Sequence, residues 1–132
     1  MNAPSSSRSR LDAIYAALPA GTDVPLAKVV AVSEVDRAVV QDALRAAQAG
    51  QVAQGVNGRW SRSPVSRTTF RDRTVLGAVG GNRHTFEGIL ACVPVSRPQL
   101  YTSLARLQVA GQVAVERDGT RTPRYARVLN PG

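Results

Sequence analysis

The chain repeats part of itself. Residues 49–53 read Ala-Gly-Gln-Val-Ala, and residues 110–114 read the same. At that offset of 61 residues, apolar positions of the two halves also coincide: Ile14 with Val75, Leu18 with Val79, Val29 with Leu90, Val39 with Leu100 and Ala43 with Leu104. Asn57-Gly58 falls on Asp118-Gly119, and both dipeptides favour tight hairpin turns. We infer two copies of one small module.

Each copy predicts the same elements from its apolar periodicity and its helix breakers. The predicted helices of the first copy cover residues 10–18, 25–30 and 36–49, and those of the second cover 72–79, 85–92 and 97–110. The predicted hairpins cover 51–56 with 59–62, and 112–117 with 121–128. The expected fold class is therefore mainly α with small β-hairpins, that is, α+β.

This element order is that of the winged helix-turn-helix. The stretch from Val95 to Leu107, followed by Gly111-Gln112-Val113, closely resembles the recognition helix and first wing strand of MarR- and GntR-type bacterial regulators. The resemblance covers residues 71–128 well and 10–62 more loosely. The first copy has Val35 where the second has the capping residue Ser96, so Ser33 and Asp36 are the alternative caps there.

The resemblance implies tandem winged-helix domains. Their expected bounds are residues 10–62 and 71–130, with a disordered tail over 1–9 and a linker over 63–70. Phe70 is the one linker residue for which packing under the second domain is an alternative.

The charge of the chain points to a polyanionic partner. The formal net charge is +8, and 16 of the 17 basic residues are arginine. Arginine suits phosphate and guanine, although a GC-rich genome also favours its codons. Residues 10–58 carry four basic and five acidic side chains, whereas residues 59–132 carry twelve basic and four acidic ones. The second copy and the preceding linker are therefore expected to provide most of the affinity for DNA.

A winged helix lays its third helix in the major groove and rests its wing on the backbone. In the second copy, the helical spacing that turns Leu100 and Leu104 inward predicts an outward set: Arg97, Gln99, Thr102 and Arg106. Gln99 can alternatively complete a capping box with Ser96. The wing of this copy adds Arg117, Arg121 and Arg124.

In the first copy, an outward stripe of the third helix holds Arg37, Gln41, Arg45 and Gln48. Asp36 and Asp42 lie beside the stripe and are expected to weaken its binding to DNA. The predicted phosphate contacts around the linker are Arg59, Arg62, Arg67 and Arg71. Val40 and Leu44 form an apolar edge beyond the expected core, which favours a homodimer or another protein partner there.

The residue types exclude several other functions. One histidine, His84, and one cysteine, Cys92, supply neither a zinc site nor a catalytic triad, so we expect no metal, no cofactor and no enzyme activity. Cys92 is expected in the core, and Trp60 is expected to pack the first wing onto its domain. No apolar run has the length of a membrane span, and a cytoplasmic, nucleoid-associated protein is expected.

The sequence favours a double-stranded DNA-binding protein, most simply a sequence-specific transcriptional regulator such as a repressor in a bacterium or phage. Two alternatives stay open. One is a DNA-binder of low specificity with an architectural or segregation role, and the other is a tandem winged-helix adaptor that binds proteins.

Overall fold

A computed structural model describes residues 9–80, 84–116 and 122–128. Its first part contains α1 (Arg10–Ala17), β1 (Val24–Pro25), α2 (Leu26–Ser33), α3 (Arg37–Ala49), β2 (Ala53–Val56) and β3 (Arg59–Arg62). Its second part contains α4 (Arg67–Val79), β4 (His84–Thr85), α5 (Phe86–Cys92), α6 (Arg97–Val109), β5 (Val113–Glu116) and β6 (Arg124–Arg127). The predicted α+β class is confirmed, and one element order occurs twice.

Each half forms a small antiparallel sheet, of order β1-β3-β2 in the first and β4-β6-β5 in the second. The outer strands β1 and β4 were not predicted, because two residues are too short to show an alternating pattern. Val24 pairs with Trp60 and His84 with Tyr125. At the first hairpin turn, Asn57 and Gly58 have φ of 54° and 76°, as their sequence predicts. The Asp118-Gly119 turn lies outside the described residues.

The offset of 61 residues holds only for the first helix of each copy. Ile14 and Val75 are both fully buried, and so are Leu18 and Val79. From the second helix onward, buried positions coincide at an offset of 60: Val29 with Ile89, Val35 with Val95, Val40 with Leu100, Leu44 with Leu104 and Ala47 with Leu107. The connection between the first helix and the short outer strand is therefore one residue shorter in the second copy.

Backbone geometry supports the same register. Ser96 caps α6, and Asp36, one of the two alternative caps predicted for the first copy, caps α3 one residue after the position aligned at an offset of 61. After these helices, Gln51 and Gly111 share a positive φ, of 65° and 75°. The repeated pentapeptide that reveals the duplication is thus itself out of structural register by one residue.

This shift corrects the expectation for Val40 and Leu44. Both side chains are fully buried, with 0% of their surface exposed, so they form no partner edge. At an offset of 61, core residue Leu100 is matched with Val39, which is only half-buried, and Val40 and Leu44 are left without counterparts in the core. At an offset of 60 they are the counterparts of Leu100 and Leu104 in the core.

The expected linker over residues 63–70 is shorter in the structure. Ser66 caps α4, accepting a hydrogen bond from the Thr69 amide at 3.1 Å, so the helix begins at Arg67 rather than Asp72. The cause is Phe70, which is buried at 1% exposure with its ring edge-on to Tyr15 at 5.2 Å. Only residues 63–66 connect the two halves.

Smaller differences concern helix ends and two side chains. Ser9, assigned to the tail, caps α1, and α2 extends to Ser33 rather than residue 30. Trp60 packs against the core with its ring over Gly55, as predicted. Cys92 is exposed and not in the core, because it ends α5 at the rim of a groove between α3 and α4.

The two halves share one hydrophobic core, and α3 crosses α4 at its centre. A Cβ on Gly77 would overlap the Ala46 carbonyl oxygen, and one on Gly50 would overlap the Arg73 carbonyl oxygen. The Arg73 side chain donates from Nε to the Gly50 carbonyl at 3.0 Å, where a cation also suits the carboxyl end of α3. The two copies therefore pack on one another through shared core residues.

Gly77→Ala is expected to reverse the usual preference for alanine in helices. Alanine in a helix interior is normally favoured over glycine by about 0.5–1 kcal/mol. Here the added methyl group should push α3 and α4 apart and lower the free energy of unfolding by roughly 1–3 kcal/mol. Urea or thermal unfolding measures the change.

Ala105→Gly, on the exposed face of α6, is the control for helix propensity alone. This substitution should lower the free energy of unfolding only modestly. A Gly77→Ala variant more stable than the parent would contradict the close packing of α3 on α4.

Candidate nucleic-acid interface

The exposed face of α3 carries a stripe of polar side chains. Val40, Ala43, Leu44 and Ala47 face the core, which turns Arg37, Gln41, Arg45 and Gln48 to solvent on one stripe. These four residues are called the α3 stripe below. Among the described residues, no side-chain hydrogen bond or ion pair reaches any of them. Asp42 is exposed at the border of the stripe, while the Asp36 carboxylate accepts from the Ala38 amide at 3.2 Å.

The corresponding helix of the second half is arranged differently. At the start of α6, Arg97 forms an ion pair with Glu87 at 2.6 Å, and its guanidinium lies 5.6 Å from the centre of the Phe86 ring. Both partners belong to α5. Arg97 is exposed, but an adjacent carboxylate offsets its charge.

Gln99 and Thr102 are engaged with the backbone of their own helix. The Ser96 amide donates to Gln99 Oε1 and the Gln99 amide donates to Ser96 Oγ, both at 3.3 Å. The capping box is thus formed, as one of the two sequence interpretations of Gln99 proposed. Thr102 is exposed, and its hydroxyl donates to the Pro98 carbonyl at 2.9 Å.

Arg106 joins α6 to α4. Its Nε and Nη2 donate to the two carboxylate oxygens of Asp72 at 2.7 and 2.8 Å, and the Ser103 hydroxyl donates to the same carboxylate at 2.7 Å. The hydrogen bond to Asp72 raises the pKa of the Arg106 guanidinium above its ordinary value, against an opposing effect of partial burial. Arg106 therefore stabilises the contact between these helices.

Part of the outward face of α6 is apolar, a feature that the sequence analysis missed. Tyr101 is 57% exposed with its ring stacked on Phe86 at 4.2 Å, and Val109 is 90% exposed. Ala105 lies exposed between them. An offset of 60 would have revealed this face, because it aligns Tyr101 and Ala105 with Gln41 and Arg45 of the α3 stripe.

Two of the arginines predicted near the wing and linker, Arg59 and Arg62, have partners within the protein. Arg59 pairs with Asp23 at 3.1 Å on the surface. Arg62 donates to the Leu18 carbonyl at 3.1 Å and lies over the Tyr15 ring at 4.2 Å. These contacts fix β3 and the end of α1 rather than leave both guanidinium groups open to solvent.

Arg71 is placed inside the protein, contrary to its predicted role on a phosphate. Its Nη2 donates to both carboxylate oxygens of Asp12, at 3.1 and 3.4 Å. The Arg71 and Asp12 side chains are only 16% and 7% exposed. The reason is the early start of α4, which turns this position toward α1 instead of leaving it in a linker. The pair joins the two halves of the chain.

The remaining predicted arginines fall into two groups. Arg37, Arg45, Arg67 and Arg124 are exposed, and in the described part of the chain none of their side chains has a hydrogen-bond or ion-pair partner. Arg117 and Arg121 lie outside the described residues. The structure thus separates arginines that hold the fold from arginines open to a partner.

Other features of the described ranges add no second site. No group of three histidine, cysteine, aspartate or glutamate side chains there could hold a metal ion. No helix in those ranges is both long and apolar enough to cross a membrane. His84 lies half-buried in β4.

No protein-family model matches the chain, and no curated protein matches it. Among solved structures, it is similar to the DIP2311 protein from Corynebacterium diphtheriae, with a TM-score of 0.39 and 14% sequence identity. The similarity covers 90% of this chain and 26% of that one, so the chain spans about a quarter of the length of that protein. A likeness of this size supports no inference about fold or function.

Arg71→Ala is expected to destabilise the protein through the loss of the buried pair. It leaves the Asp12 carboxylate buried without its partner, which should lower the free energy of unfolding by about 3–5 kcal/mol. Chemical denaturation of the single variants and of Asp12→Ala/Arg71→Ala completes a double-mutant cycle. The double variant should lose clearly less stability than the two single losses added together. Strict additivity would show that the pair is not coupled.

Proposed function

We propose that the chain is a tandem winged-helix protein that binds double-stranded DNA and acts as a sequence-specific transcriptional regulator. Two features support the fold part of the proposal. Each half has a helix, a short strand, two more helices and a hairpin, and each sheet has the first strand paired with the last. A helix-turn-helix followed by a two-stranded wing is the arrangement that this family uses to dock on DNA.

The DNA-binding part rests on one observation, a set of exposed arginines whose side chains make no hydrogen bond or ion pair with any described residue. Among the arginines predicted to contact DNA, these are Arg37, Arg45, Arg67 and Arg124, in a chain of net charge +8. A carboxylate that is ion-paired with an arginine competes with phosphate for the guanidinium. Only unpaired arginines can displace the counterions of DNA at little cost to the fold.

The positions of these arginines suit two kinds of contact. Arg37 and Arg45 lie on the face of the helix that would enter the major groove, together with Gln41. Arg124 opens the second strand of the wing, where a winged helix meets the backbone. Contacts of both kinds are needed for a protein that is positioned by phosphates and selects its sequence by base edges.

A second function has its own support. The exposed apolar face of α6, with Tyr101 and Val109, resembles the centre of a protein–protein interface more than a DNA-reading face. It favours an adaptor role in which the second half binds a protein. That role is compatible with DNA binding by the first half. It replaces the DNA-binding proposal only if the chain binds no DNA.

Titration of labelled duplexes at two salt concentrations tests the proposal. We expect affinity to fall steeply as salt rises, because bound arginines release counterions, and we expect one sequence to be preferred over random duplex. A steep salt dependence without preference would indicate the architectural alternative. No binding at low salt would contradict DNA binding and favour the adaptor.

Arg124→Ala should weaken binding to preferred and random duplexes by the same factor, and should reduce the slope of log affinity against log salt by about 1. Arg124→Lys is the matched control, because lysine keeps the charge and a phosphate needs no bidentate partner. It should bind almost as the parent does. A loss confined to the preferred duplex would show that Arg124 reads a base.

A further inference from the structure

We infer that α3 is the helix that reads DNA sequence and that α6 is not. The inference rests on the proposed DNA binding and reverses the ranking that the charge of the two halves implies. It follows from a comparison of equivalent positions in two helices of the same length, whose buried positions coincide except that buried Ala46 matches exposed Arg106.

The equivalent outward positions differ in chemistry. At the offset of 60, Arg37 matches Arg97 and Gln48 matches Gln108, whereas Gln41 matches Tyr101 and Arg45 matches Ala105. The centre of the α3 stripe therefore presents an amide and a guanidinium. The centre of the α6 face presents a phenol ring and a methyl group, which offer much less to the edges of bases.

Most polar side chains of α6 are already engaged, the exception being Gln108, which has no side-chain partner among the described residues. Arg97 is held by Glu87 at 2.6 Å and Arg106 by Asp72 at 2.7 Å. Release of either arginine would break an ion pair and leave its carboxylate partner close to DNA phosphates. Gln99 and Thr102 are bonded to the helix backbone. In α3, by contrast, Arg37, Gln41 and Arg45 need give up no bond to any described residue.

The α3 stripe has the donors that recognise purines. Arginine donates two hydrogen bonds to O6 and N7 of guanine, and glutamine pairs with N6 and N7 of adenine. Arg37 and Arg45 are eight residues apart, or about 12 Å along the helix axis at 1.5 Å per residue. At about 3.4 Å per base pair, this length spans three to four base pairs. A short element with guanines read by the arginines and an adenine read by Gln41 would fit it.

Asp42 limits which DNA groups the stripe can contact. Its exposed carboxylate borders the stripe and repels phosphate, so the arginines of α3 are disfavoured as general backbone contacts. The two halves then divide the work, with sequence selection in the first and backbone contacts such as Arg124 in the second.

The test uses the full chain and charge-preserving substitutions. The preferred duplex is first selected from a randomised library with the parent protein. Affinities for that duplex and for a scrambled duplex are then compared for Arg37→Lys, Arg45→Lys and Gln41→Ala, with Arg97→Lys as the matched control on α6. Each α3 variant should lose roughly 5- to 150-fold in the ratio of the two affinities. Arg97→Lys should leave the ratio within about twofold of the parent value. Thermal unfolding verifies that each variant is folded.

The outcomes separate the inference from the proposed function. A parent that binds DNA in a salt-dependent way but prefers no sequence overturns the inference and leaves DNA binding intact. A ratio lowered by Arg97→Lys and unchanged by the α3 variants assigns the readout to α6 and also overturns it. A parent that binds no duplex overturns the proposed function, and the inference with it.

Discussion

The close approach of α3 to α4 determines how the rest of the chain is arranged. Glycine at positions 50 and 77 lets the two helix backbones come closer than any side chain would allow. Because α3 belongs to the first copy and α4 to the second, this contact converts two small modules into one unit. Each module alone would bury too little apolar surface to be very stable. The buried pair of Asp12 and Arg71 and the amide of Leu11, which donates to the Pro94 carbonyl at 3.0 Å, join the halves at a second place.

Joining the halves also decides which arginines are used for structure. Acidic side chains are few, and four of them, Asp12, Asp23, Asp72 and Glu87, each hold an arginine. Those arginines lie mainly in the second half and around the connection, where the sequence carries its excess of positive charge. Such pairing leaves the net charge unchanged, but it decides which arginine side chains remain open to a partner. Composition alone predicts a polyanionic partner, whereas the choice of contacting residues depends on the ion pairs.

The sequence predicts the class and order of the elements because periodicity, caps and breakers are local signals. Asn57-Gly58, Ser96 and the helix ends at residues 49 and 109–110 are of this kind. It mislocates α4 because Phe70 is held by Tyr15, a contact between residues distant in the chain. The error at Val40 and Leu44 has another origin. The repeated pentapeptide led to a single offset of 61 for the whole chain. Because the second copy is one residue shorter before β4, that offset compares later positions that are one residue, or about 100° around a helix, out of register. Partners such as Asp72 for Arg106 depend on tertiary packing and leave no trace in sequence spacing.

A shared core has a consequence for any DNA target. Two domains on an eight-residue linker could adapt to half-sites at several separations, because such a linker spans up to about 26–29 Å and bends freely. With only residues 63–66 between the halves and α3 packed on α4, the orientation of α3 relative to α6 and the second wing is set by the fold itself. On the proposed function, the phosphates met by the second wing are then fixed relative to the bases that α3 can reach. On the same proposal, sequence selection and backbone contact would occur on one packed unit, and the ordering of a flexible linker would not oppose binding.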